Sequence, residues 1–155
     1  MAADYQQIRF DIVPFGRSAR ELVPVVGTRR LVDLVTEFET EYGFTPAGGY
    51  AGLVLDYYDF GDLPRYLTGD QDPWPGEQVP LLGCQCGEWG CWPMIACVTV
   101  TEATVRWSGF RQPHRDSRDY SQFGPYAFPA SEYRHAVSAA AAQAAMPPDQ
   151  PGPPG

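Results

Sequence analysis

With 155 residues, 44% of them hydrophobic and 14% aromatic, the chain fits one domain of ordinary size, able to bury a core without a disulfide or metal as an obligatory staple. No run approaches the roughly 18 apolar residues that a membrane helix needs, and a formal net charge of −8 disfavours nucleic acid as a partner. All eleven basic residues are arginine, which removes Schiff-base, P-loop and general-base lysine chemistry together.

The charge is unevenly placed. Between Asp33 and Glu88 there are eleven acids and one base, Arg65, while the flanking segments are close to neutral. Such a zone is either a solvated surface that keeps the domain soluble or a face for a basic protein partner. The start, MAADYQQIRFDIVPF, lacks the basic, apolar and small-residue pattern of a secretory signal, so a cytoplasmic location with reduced thiols and no disulfides is expected.

In chain order, Ile8, Phe10 and Ile12 alternate with Arg9 and Asp11, predicting a strand over about 6–13 that Pro14 and Gly16 close. A second apolar piece follows at Leu22 to Val26. After Gly27 and Thr28, the spacing of Leu31, Leu34, Val35 and Phe38 predicts a helix near 29–42, ended by Gly43. Its polar residues Asp33, Glu37, Glu39 and Glu41 are expected to face solvent. Residues 44–80 are rich in Gly, Pro and Tyr, with one helical turn expected at Leu63 to Leu67; Asp70, Asp72 and Glu77 lack EF-hand spacing.

Met94, Ala96, Val98 and Val100 alternate with Ile95, Cys97, Thr99 and Thr101, and Val105 and Trp107 repeat the pattern after the TEAT turn. This predicts a central antiparallel hairpin over about 93–110. Ser131 is placed to cap a last helix near 131–145. The fold class expected is α+β, a mostly antiparallel sheet with the two helices, in a single domain over 1–145. MPPDQPGPPG, over 146–155, has no apolar face to bury and reads as a disordered tail.

All four cysteines lie in CQCGEWGCWPMIAC. Gly87 and Gly90 would let Cys84, Cys86 and Cys91 converge as thiolate ligands of zinc, although C-x-C-x4-C is not the paired C-x2-C pattern of zinc knuckles. Cys97 falls within the predicted strand and reads as a small core residue, so His114 is the candidate fourth ligand. The alternative is a structural turn of reduced thiols. A nucleophilic Cys86 or Cys91, with His114 as acid or base, would need nearby arginines to lower a thiol pKa.

The stretch RWSGFRQPHRDSRDY gathers Arg106, Arg111, Arg115 and Arg118 around His114 and Tyr120. With Trp107 it is a candidate site for a small anionic ligand held by bidentate arginine contacts; the plainer reading is a surface loop paired with the acidic zone. An antiparallel hairpin returns its exit beside its entrance, so the cysteine turn and Arg111, His114 and Arg115 are expected at one end of the sheet. His135 reads as an ordinary surface residue.

The run from Leu81 to Tyr133 resembles a family of small bacterial proteins that share a CxCGxxGCWP turn, a V-x-W-S-x-F strand and a Q-P-H-R stretch. Cys84, Cys86, Gly87, Gly90, Cys91, Trp92, Pro93, Trp107, Phe110, Pro113, His114, Arg115, Tyr120 and Tyr133 occupy the matching positions. The resemblance implies an intact domain of bacterial origin and carries no activity. Two classes of function follow from the residues: a binding or accessory module with an acidic face and a thiolate metal site, or a small enzyme or anion-binding protein built on the Cys84 to Cys91 turn. No G-x-S-x-G, H-E-x-x-H or G-x-G-x-x-G is present.

Overall fold

The computed structural model describes residues 5–57, 62–69, 78–87, 91–115 and 117–146. The fold is α+β and mostly strand, and all pairings between its strands are antiparallel. β1 (Ile8–Phe15) and β2 (Ala19–Val26) form a hairpin with Ile8 opposite Val26. β3 (Arg29–Arg30) and, further along, β5 (Leu53–Val54) add to β2 and complete a four-stranded sheet. The second sheet has five strands in the order β4 (Tyr50–Ala51), β6 (Gln78–Cys84), β7 (Met94–Val100), β8 (Thr104–Arg111) and β9 (Tyr126–Pro129).

The predicted hairpin is β7 and β8, and it sits centrally in its sheet. Its TEAT turn is closed by Thr101, whose N–H donates to the Thr104 carbonyl at 2.8 Å and whose Oγ1 accepts from the Thr104 N–H at 3.0 Å. Val98 and Trp107 point inward, while Val100 beside the turn is 46% exposed. The predicted first strand and the Leu22 piece are β1 and β2. Three elements carried weaker signals in the sequence: β6, and the two-residue strands β4 and β5.

Gly52 joins the two sheets. Between β4 and β5 the chain leaves one sheet for the other, and a Cβ at this position would stand 2.2 Å from the Leu22 carbonyl oxygen. Only a residue without a side chain allows that approach. The Gly52 N–H is held by Glu21 Oε1 at 2.8 Å.

α1 (Leu31–Glu41) packs on β2 through Leu31, Val35 and Phe38. Gly43, at φ +72°, turns the chain away after its last residue. α2 (Leu63–Leu67) is capped by Asp62, which accepts from the Arg65 N–H at 3.3 Å. α3 (Ala130–Ala144) packs on β1 and begins directly after β9, so Ser131 lies in its first turn and makes no capping bond. Its C-terminal carbonyls are held by Arg20, whose guanidinium donates to Ala144 O at 3.3 Å and Met146 O at 2.9 Å. A cation at this end also suits the helix dipole. Contacts of the domain thus reach Met146, one residue beyond the expected boundary; the rest of the expected tail lies outside the described residues.

One apolar core spans both sheets and all three helices. At its centre Trp107 is fully buried, edge-on to Phe128 with ring centroids 4.9 Å apart. Its Nε1–H donates to Tyr133 Oη at 3.2 Å, and Tyr133 Oη–H donates in turn to the Leu67 carbonyl at 2.5 Å. Both polar handles are therefore satisfied without water. Trp107→Ala is expected to lower the unfolding free energy by about 3 to 5 kcal/mol. Urea denaturation measures it; a loss below about 1 kcal/mol would mean that this tryptophan does not hold the core.

Candidate metal centre

β6 ends at Cys84, which lies opposite Tyr50 of β4. The chain then reverses: the Gln85 N–H donates to Gly49 O at 3.0 Å and the Gly87 N–H to Cys84 O at 2.9 Å. Gly87 has φ +103°, and a Cβ there would stand 2.5 Å from the Tyr57 ring, so the turn requires a glycine on both counts. On the returning limb Trp92 anchors the chain by donating from Nε1 to Gly48 O at 2.9 Å. Pro93 is buried and leads into β7.

This turn brings the sulfurs of Cys84, Cys86 and Cys91 within 4.8 Å of one another. Three thiolates so placed could hold a metal ion. None of the four cysteines is in a disulfide. Cys84 is half-buried, whereas Cys86 and Cys91 are exposed. Burial is the largest cause and pushes the Cys84 thiol up to about 11; the Cys86 N–H on its sulfur at 3.4 Å opposes it, and hydrogen bonding with the Cys86 and Cys91 sulfurs adds to the rise. Cys97 stands apart on β7, half-buried, and does not join the group.

His114 does not enter the sulfur group either. It lies on the exposed turn after β8, where its backbone N–H donates to Gln112 Oε1 at 2.9 Å. The arginines divide. Arg115 reaches back to the cysteine turn, its guanidinium carbon 4.8 Å from the centroid of the Trp92 ring. Arg111, paired with Ile95, donates instead to Gln78 Oε1 at 2.9 Å. Trp107, a candidate ligand contact in the sequence, belongs to the core. His135 is exposed on α3 and lines a groove against β1 with Arg9 and Glu132.

Glu39 departs from expectation, since it is fully buried and not on the solvent face of α1. Its Oε1 accepts from the Gly48 N–H at 2.7 Å. Its Oε2 accepts from Tyr50 Oη at 2.7 Å, Tyr120 Oη at 2.5 Å and Arg118 Nη1 at 3.2 Å. Gln112, also buried, donates from Nε2 to Tyr50 Oη at 3.3 Å. Burial, followed by the bond to Glu39, drives the Tyr50 phenol far above its ordinary value, so it remains a donor. The periodicity contained the clue: Glu39 lies four residues after Val35 and eight after Leu31, on the apolar stripe.

The carboxylate network and the cysteine turn share a loop. Gly48 gives its N–H to Glu39 and its carbonyl to Trp92, and Tyr50 joins Glu39 to the strand position opposite Cys84. The thiol group is therefore mounted on a fixed buried scaffold.

No family model matches this chain, and searches of curated proteins and of solved structures return no match.

Two outcomes are expected. Arg118 has 6% of its side chain exposed against 0% for Glu39, so Arg118→Ala leaves a carboxylate buried without its cation. A destabilisation of about 3 to 5 kcal/mol is expected in chemical denaturation. In metal-free protein, alkylation of Cys84 should lag behind that of Cys86 and Cys91 at neutral pH and rise as the pH approaches 11. Because its folded pKa is raised from an ordinary value of 9.0, its contribution to stability is intact below pH 9 and is lost as the pH climbs towards 11. Mass spectrometry of timed alkylation reads the order, and equal rates at all three thiols would contradict it.

Proposed function

We propose that this domain is a small metal-binding accessory module that holds zinc on the thiolates of Cys84, Cys86 and Cys91. The observation that supports this most is the approach of three sulfurs to within 4.8 Å on a turn whose two limbs are pinned to the same Gly48 to Tyr50 loop. A tetrahedral zinc site places each sulfur about 2.3 Å from the metal. Small movements of the exposed Cys86 and Cys91 side chains reach that arrangement, while half-buried Cys84 supplies the anchored ligand.

His114 is the proposed fourth donor. Its backbone N–H is tied through Gln112 to Tyr50, the residue opposite Cys84, which supports a place for its side chain near the thiols. Metal binding would displace the thiol protons, including the one held tightly on Cys84, so affinity should fall steeply on acidification. A reducing cytoplasmic location suits such a site, and the acidic zone between Asp33 and Glu88 would then meet a basic protein partner. The enzyme alternative would need an arginine to stabilise a thiolate on Cys86 or Cys91. Arg115 lies instead over the Trp92 ring.

Elemental analysis of protein purified under reducing conditions should find about one zinc per chain. Cys86→Ser should abolish it, and His114→Ala should weaken retention against a chelator by at least about tenfold. Protein without bound zinc, which also fails to take it up when titrated at neutral pH, would overturn the proposal. Unchanged retention in His114→Ala would assign the fourth position to solvent and remove His114 from the site.

A further inference from the structure

The second half of β8 is built differently from the first. Val105 and Trp107 point into the core and Arg106 and Ser108 point away, as strand alternation requires. Continued alternation would send Phe110 outward with Arg106. Instead the register slips: Cys97 faces Ser108 while Ile95 faces Arg111, so three positions on β8 are spanned by two on β7. Gly109, at φ +61°, supplies the left-handed residue of this bulge. The extra residue turns Phe110 into the core and brings Arg111 onto the outer face that already carries Arg106 and Ser108.

β9 ends its pairing at Trp107 opposite Tyr126, so among the described residues Ser108 to Arg111 has no strand neighbour on that side. The chain from Arg118 to Pro125 stands off here and leaves a groove of about 500 Å³. Phe110, Tyr120 and Phe123 give it an apolar wall, and among the described residues Arg106, Arg111 and Arg118 line it with one acid, Asp119. The Arg118 charge is matched by Glu39. Asp119 turns its carboxylate to the Ser121 N–H of its own loop, at 2.9 Å. Among the described residues Arg106 has no ion pair, and the Arg111 side chain is bonded to the neutral Gln78 side chain. In a chain of net charge −8, this groove concentrates positive charge beside an aromatic surface.

We infer that this groove is a binding site for a small organic bis-anion, with Arg106 and Arg111 each taking one anionic end and the aromatic wall taking the body between them. The arginines face residues four steps apart on β7, Thr99 and Ile95, a strand span of about 13 Å. That spacing suits two anionic groups separated by an apolar link better than one phosphate. Guanidinium forks bind carboxylate and phosphate alike, so the class comprises bisphosphates and dicarboxylates. The site is separate from the thiol group and does not depend on metal.

Calorimetric titration of the purified protein with hydroquinone bisphosphate, phenyl phosphate and terephthalate tests this. The bisphosphate should bind saturably, at least about tenfold tighter than phenyl phosphate, which lacks the second anionic end. Arg106→Gln and Arg111→Gln should each bring it down to the phenyl phosphate level, Asp119→Asn should tighten it, and Arg134→Gln, on the exposed face of α3, should leave it unchanged. Tighter binding of terephthalate, with the same arginine dependence, supports the site and assigns it to dicarboxylates. Absence of saturable binding by both two-ended probes, or affinity indifferent to Arg106→Gln and Arg111→Gln in folded protein, overturns the inference.

Discussion

The architecture around the candidate centre depends on one buried carboxylate. Glu39 gathers a backbone N–H, two phenols and a guanidinium, drawn from the Gly48 to Tyr50 loop and from the chain after β8. Desolvating a carboxylate costs several kcal/mol, and the Arg118 charge together with three further donors offsets that cost. A well-packed apolar replacement could match the stability, so the gain from such a network lies in specificity. A loop rich in glycine has many conformations open to it, and Glu39 selects the one in which Gly48 can receive Trp92.

That selection positions the thiols. C-x-C-x4-C fixes only that three sulfurs are near in sequence. Their convergence requires the outgoing limb to leave β6 opposite Tyr50 and the returning limb to be held at Trp92, and both constraints lead back to the loop that Glu39 holds. Arg115 and Arg118 lie 4.8 and 5.6 Å from the centre of the same indole ring, so the chain after β8 is attached to the returning limb as well. The geometry of the sulfur group is thus set by residues more than twenty positions away along the chain. Changes at Glu39 would be felt at Cys84 and Cys91 through this loop.

Local signals made the hairpin of β7 and β8, the helices and the first strand legible, because each has an apolar period and an adjacent turn residue. The cysteine turn was legible for a similar reason, as glycines between clustered thiols restrict where the chain can go. What could not be read directly was anything decided by distant partners. Periodicity puts Glu39 on the apolar stripe of α1, but its donors come from residues 48, 50, 118 and 120, which no local signal brings beside it. β4 and β5 are two residues long and exist only through pairing with β6 and β2. Trp107, with a polar handle in an arginine-rich stretch, resembled a ligand contact because its partner Tyr133 lies 26 residues on.

The arginine stretch shows the same limit. As a string it offers four equivalent cations around a histidine, yet the fold gives them different duties. Arg118 neutralises a buried acid, Arg115 covers an indole, and the bulge at Gly109 directs Arg111 to the face of Arg106. Without the bulge, strand alternation would place Arg111 on the opposite face from Arg106 and Phe110 on the outside. A single left-handed glycine therefore separates two roles within β8: one half closes the core through Trp107, and the other presents paired charges beside an aromatic wall. Bulges of this kind interrupt a ladder at the cost of pairing, and here the interruption lies on the wall of the groove.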